Sequence, residues 1–226
     1  DVTERVVDEA ITKGCNLIFA HHPLIFRKLS QVTDANYVQR TVIKAIKNDI
    51  VIVAMHTNLD AAFGGVNFKI AEKLRLRDVR FFGREKVVTN PLTDKKVTGG
   101  YGVIGCFDTP LAADDLILLL KKEFDVECVQ ANELLRREIR TVALCGGSGS
   151  FLLQDAINAG ADAFITGEMG YHEFFGHEQE IQLCVIGHYQ SEQYTTEVLR
   201  DVIERDCPGV KCCISEINTN PIVYFS

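Results

Sequence analysis

Read from residue 1, the chain alternates apolar patterns of helical and of strand period. Residues 4–13 set Val6, Val7, Ala10 and Ile11 on one helical face and stop at Gly14, and the run NLIFA at 16–20 predicts a buried strand. Residues 35–47 bring Val38, Val42, Ile43 and Ile46 together in the same way, and IVIVAM at 50–55 predicts a second buried strand. From about Val79 to Cys106 the pattern changes. Turn signals TNPLTDKK and TGGYG separate β-rich runs, which predicts an antiparallel excursion before LAADDLILLLKKEF (111–124) returns to helix. The alternation predicts an α/β fold.

The chain also resembles itself. VDEAITKGCNLIFAHH (7–22) aligns without gaps on LQDAINAGADAFITGE (153–168), with Gly14 over Gly160 and His22 over Glu168. VAMHTNLD (53–60) aligns on VIGHYQSE (185–192), with His56 over His188 and Asp60 over Glu192. Two related α/β halves are expected, 1–98 and 99–226, each built on a helix–strand unit. The strand RTVALCGG precedes the second unit, and its counterpart would fall before Asp1, so the native chain is expected to begin earlier.

Composition narrows the function classes. The 226 residues are 46% apolar, enough for one large core or two modest ones, and no apolar run reaches the ~20 residues of a membrane span. A formal net charge of -7 argues against strong nucleic-acid binding, which needs a basic face, but leaves room for a small anionic ligand held by a metal or by local donors. The eight cysteines include no C-x-x-C pair and are expected to be reduced, mostly buried thiols of a cytosolic protein. Cys207, Cys212 and Cys213 cluster, yet neighbours on a strand point to opposite faces, poor geometry for one soft metal ion.

Functional groups of an α/β sheet gather beyond the carboxyl ends of its strands. Four predicted strand ends here carry metal-ligand side chains: His21 and His22; His56 and Asp60; Glu168; His188 and Glu192. Adjacent histidines diverge on extended backbone, so they suit two ions side by side, ~3.5–4 Å apart, better than one. Structural alternatives exist. Asp60 could cap the segment after it, and Ser191 could be an N-cap with Glu192 favoured by the helix dipole. CGGSGS (145–150) fits a tight turn better than a phosphate cradle, since it lacks the P-loop lysine. His177, in an acidic stretch, is expected at the surface.

HHPLIF, HTNLD, TGEMGYH and GHYQSE resemble, in order and spacing, the signature segments of the Nif-three-like proteins, often called GTP cyclohydrolase 1 type 2 homologs. The resemblance implies two α/β domains enclosing a dinuclear metal centre, and toroidal homohexamers built from dimers. Carried over residue by residue, it implies His21, His22, Asp60, His188 and Glu192 as ligands of two divalent ions, zinc, iron or manganese, with no other cofactor. His56, Glu168 and His172 would surround them, orienting ligands or moving protons. The implied activity is metal-dependent hydrolysis of a small anionic or nucleotide-like substrate, with opening of the guanine imidazole ring of GTP as the family's version. Phosphoester hydrolysis and a non-enzymatic role, as metal-binding or ring-forming adaptor protein, are the alternatives. A cytoplasmic protein without membrane contact is expected. Members usually begin with an additional helix and strand carrying a tryptophan, and this sequence has no tryptophan.

Overall fold

A computed structural model describes residues 1–225. In chain order the elements are α1 (Glu4–Thr12), β1 (Leu17–Ala20), α2 (Tyr37–Lys47), β2 (Val51–Ala54), α3 (Thr57–Asp60), α4 (Val66–Lys73), β3 (Arg77–Thr89) and β4 (Lys96–Leu111). The chain continues with α5 (Ala113–Phe124), β5 (Gln130–Ala131), β6 (Ile139–Cys145), α6 (Leu153–Asn158), β7 (Ala163–Thr166), β8 (Gln182–Val185), α7 (His188–Glu192) and α8 (Thr195–Asp206). The fold is α/β, as the alternation predicts. None of the helices among the described residues is long and apolar enough to cross a membrane.

Two compact units divide the chain: Asp1–Leu59 with the segment from Thr196 onward, and Asp60–Thr195. The expected division at 98/99 is corrected by strand pairing. It would cut β4 at Thr98, which is registered against Val87 of β3 within one long antiparallel hairpin.

In the first unit β1 and β2 pair in parallel, Leu17 against Val51 through Ala20 against Ala54. Val6, Val7 and Ala10 of α1 are buried with Ala20, Ala45 and Ile50, and Ile18 and Ile52 pack on this cluster. The two strands are not buried on both faces as expected: Leu17, Val51 and Val53 are exposed. Side chains alternate across a strand, so a sheet packed on one side leaves its other set of positions in solvent. The face of α2 also differs from expectation. Gln39, Thr41 and Ala45 are buried, whereas Ile46 is 67% exposed. The buried polar groups are satisfied locally: Thr33 donates to Gln39 Oε1 through its backbone N (2.9 Å) and its hydroxyl (2.5 Å), and Thr41 Oγ1 donates to the Tyr37 carbonyl (2.7 Å).

The second unit holds a six-stranded sheet in the order β3-β4-β6-β7-β8-β5. β6, β7 and β8 run parallel, and β3, β4 and β5 join antiparallel. β7 and β8 are buried at every position, as expected of parallel strands covered on both faces.

The expected duplication is visible in element type. Positions 17–20 and 163–166 are both strands, each preceded by a helix that closes on a glycine with positive φ, Gly14 at 68° and Gly160 at 73°. A side chain at either glycine would be strained. β2 with α3 corresponds in the same way to β8 with α7, and in both units the two strands of the pair are parallel. β7 is flanked by β6 and β8, whereas β1 pairs with β2 alone among the described residues.

Asp162 ties the start of the parallel core. Its Oδ2 accepts from the backbone N of Arg140 (3.0 Å) and of Thr141 (2.8 Å), and Arg137 donates to Oδ1. Burial pushes this carboxyl up, but the hydrogen bonds from Thr141, Arg140 and Arg137 prevail and hold it below its usual value. Such a group adds stability above the unfolded carboxylate pKa, ~3.9, and loses it as pH falls through the lower folded value. Asp162→Ala is therefore expected to cost about 1–3 kcal/mol at neutral pH, because two backbone donors lose their acceptor. In urea unfolding, the gap between variant and parent should narrow below the ordinary carboxylate range.

Candidate metal centre

The parallel pairing of β1 and β2 delivers three imidazoles to one end of a sheet. His21 and His22 come directly after β1 and His56 lies just past β2. Ring centroids are 4.7 Å apart for His21 and His22, 5.2 Å for His21 and His56, and 5.1 Å for His22 and His56. Each ring offers a nitrogen within 4.8 Å of the others. His21 is buried, with Nδ1 3.0 Å from the Met55 carbonyl oxygen. A carbonyl only accepts, so Nδ1 is the donor of this contact and Nε2 is the nitrogen left for a metal. His22 Nδ1 lies 3.4 Å from Asp1 Oδ1. His56, expected beside the ligands, thus belongs by geometry to a set of nitrogen donors.

The second unit supplies the carboxylates. His188 and Glu192 stand one turn apart on α7, so they share a face, and His188 Nε2 is 3.2 Å from Glu192 Oε2. Asp60, at the end of α3, has a carboxylate oxygen within 4.8 Å of one of Glu192. Glu168, just past β7, places Oε1 3.0 Å from His188 Nδ1, and Ser148 Oγ donates to its other oxygen. The run Ser148, Glu168, His188, Glu192 is continuous. The hydrogen bond with Glu192 is the main cause that raises the His188 pKa; burial opposes it and Glu168 adds to it. Cys145 registers the same negative field: burial, Asp60 and Glu192 together push its thiol up to about 12.

The turn at 146–149 positions these groups. Three of its four amides are spent within the protein: Gly146 N donates to Asn67 Oδ1 (2.8 Å), Gly147 N to Ser191 Oγ (2.9 Å) and Gly149 N to Thr166 Oγ1 (3.0 Å). CGGSGS is therefore a tight turn whose three glycine amides serve the fold, as its sequence suggests. Gly147 lies against Glu192 so closely that a Cβ there would collide with Oε1.

Both capping alternatives are overturned. Ser191 lies inside α7, where its hydroxyl donates to the His188 carbonyl (2.8 Å), and the N-cap of α4 is Gly65, not Asp60. His172 is exposed and its ring contacts are with Tyr171 and Phe175; it joins none of the metal-capable groups. His177 is paired with Glu180 at 2.9 Å. Sequence reasoning missed Ser148 and Asn67. The G-S in CGGSGS was the available signal for the first; a lone asparagine in α4 offered none.

A family model described as Duf34/NIF3 (NGG1p interacting factor 3) matches residues 1–221. The chain belongs to this family. It is similar to a Clostridium perfringens protein named GTP cyclohydrolase 1 type 2 homolog, 32% identical over 228 residues, which cover 100% of this chain and 84% of that one. NGG1-interacting factor 3 of Saccharomyces cerevisiae is 28% identical, covering 98% of this chain and 78% of its own length. The NIF3 fold is equally plain in solved structures. A Staphylococcus aureus hypothetical protein superposes with a TM-score of 0.87 at 27% identity, covering 100% of this chain and 85% of that one. A Bacillus cereus protein related to NIF3 gives 0.83 at 25% identity, with 100% and 87% coverage.

Glu168 should act on metal binding through His188. Glu168→Gln removes the charge that orients the imidazole, and the expected loss in divalent-metal affinity is about 10–100-fold. Titration calorimetry with zinc or manganese reads this, while an unchanged urea midpoint shows that the fold is kept. Ser148→Ala should lose less.

Proposed function

We propose that this NIF3-family chain binds two divalent metal ions through His21, His22, Asp60, His188 and Glu192, with His56 as a further nitrogen donor, and hydrolyses a small anionic or nucleotide-like substrate. The observation that carries the reading is the donor set itself: three imidazoles within 4.8 Å in one unit, and two carboxylates with an imidazole in the other. Imidazole and carboxylate suit zinc, iron and manganese, and the His21 Nδ1 contact with a carbonyl oxygen leaves the correct nitrogen for a metal. The residues present fit the group that the family implies.

When bound, such ions lower the pKa of water and polarise the oxygens of a substrate. The chain's own contribution is orientation and proton handling. Met55 fixes the tautomer of His21, Glu168 orients His188, and Glu168, hydrogen-bonded by the exposed Ser148, is placed to hold a proton at the solvent side of α7. The name of the bacterial relatives makes opening of the guanine imidazole ring of GTP the first reaction to test, with phosphoester hydrolysis second. The yeast relative's name speaks of a protein partner, so a metal-loaded chain without turnover is the result a binding role would give. The assembly proposed with this reading is a cytoplasmic homohexamer.

Metal per chain should fall selectively. His21→Ala and His22→Ala are each expected to weaken one ion position, and Glu192→Gln both, because loss of that charge removes screening between the cations. Elemental analysis of folded, reconstituted protein decides. Two ions retained in all three variants, or none bound by the parent, would overturn the assignment. A nucleotide panel with formate and phosphate detection then separates ring opening from phosphoester hydrolysis.

A further inference from the structure

Eight free thiols are present, and two of them meet across most of the chain's length. Cys15 Sγ and Cys213 Sγ are 3.8 Å apart in space and 198 positions apart in sequence. Both lie in the first unit, Cys15 half-buried in the turn between α1 and β1, Cys213 exposed. The expectation of mostly buried thiols is corrected here: only Cys145 and Cys184 are buried.

The contact sits in an anchored segment. Glu9 of α1 accepts from Ser215 Oγ and from the backbone N of Glu216 (2.9 Å). Lys13 reaches Glu9 and Glu216 at 2.9 Å each, and Ile217 packs on the core cluster of the first unit. Residues 211–217 have no helix or strand of their own, so these contacts determine where the Cys213 sulfur lies. Its neighbour Cys212 is tied by a different contact: its backbone N donates to Glu204 of α8 (3.3 Å), and its thiol is raised by burial, by Glu204 and by the thiols of Cys213 and Cys207. Cys213 is the exposed member of the pair and Cys15 the half-buried one, so Cys213 meets an oxidant first.

We propose that Cys15 and Cys213 form a modification site, a dithiol that a small peroxide converts to an intrachain disulfide, fastening the carboxyl-terminal segment to α1. The Cys213 thiolate attacks the peroxide oxygen, the O–O bond breaks, and Cys213 becomes a sulfenic acid as water or an alcohol leaves. The Cys15 sulfur then attacks that sulfur, the S–O bond breaks, and water leaves with the remaining proton. Two thiols lose two electrons and two protons; the peroxide takes both. A disulfide needs ~2.05 Å between sulfurs, a closure within reach of side-chain rotation on an irregular segment.

The test is mild hydrogen peroxide on the full chain, followed by alkylation and peptide mapping. A Cys15–Cys213 linked peptide, reversed by dithiothreitol, is expected in the parent and in Cys212→Ser but absent in Cys213→Ser. Oxidation should also slow limited proteolysis after residue 207 in the parent and leave Cys15→Ser unchanged. Linkage of Cys15 to Cys212 or Cys207, or sulfinic acid at Cys213 with Cys15 still free, would overturn the proposal.

Discussion

The close approach of Glu192 to Gly147 is the constraint on which the carboxylate side of this protein depends. The turn at 146–149 joins the end of β6 to the short helical segment that leads into α6, and its three glycine amides are hydrogen-bonded to α4, to α7 and to the end of β7. The Gly147 carbonyl in turn accepts from the backbone N of Gly167 and of Glu168, each at 2.9 Å. One four-residue turn therefore fixes both the segment that carries Glu168 and the helix that carries His188 and Glu192. Only glycine fits, because φ at Gly147 is 59° and any Cβ would strike the Glu192 carboxylate.

That packing concentrates negative charge. The Glu192 side chain is 9% exposed, Asp60 brings a second carboxylate within 4.8 Å of it, and the raised Cys145 thiol responds to both. Carboxylates held so close in partial burial repel each other, and the repulsion is relieved by a proton or a cation. His188, whose pKa is raised chiefly by Glu192, shows the proton solution; a divalent ion would be the other, and it requires His188 neutral.

Much of this is legible in the residue pattern alone. Strand ends carrying histidine and carboxylate are readable because parallel strands must end in polar loops, and α7 does place His188 and Glu192 on one face. What periodicity could not show was satisfaction of polar groups by partners distant in sequence. Gln39 and Thr41 take buried positions on α2 because Thr33 and the Tyr37 carbonyl satisfy them, while Ile46 faces out. Ser191 reads as a cap by residue type, yet its hydroxyl serves the distant Gly147 amide. The 98/99 division failed for a related reason: the turn signals between Val79 and Cys106 mark a hairpin and not a boundary, and the β3–β4 pairing runs through it.

The duplication explains why the two corners are chemically unequal. The same backbone plan, helix, glycine, strand and polar corner, places His22 after β1 and Glu168 after β7. In the first corner the position adds an imidazole to two others and enlarges a set of nitrogen donors. In the second it supplies a carboxylate that binds the Nδ1 of His188 and leaves Nε2 directed at Glu192. The corner past β7 therefore gives an imidazole a charged partner, where the corner past β1 adds a further imidazole. A single exchange at the repeat position, carboxylate for imidazole, thus changes the chemistry of a corner without altering the backbone plan that carries it.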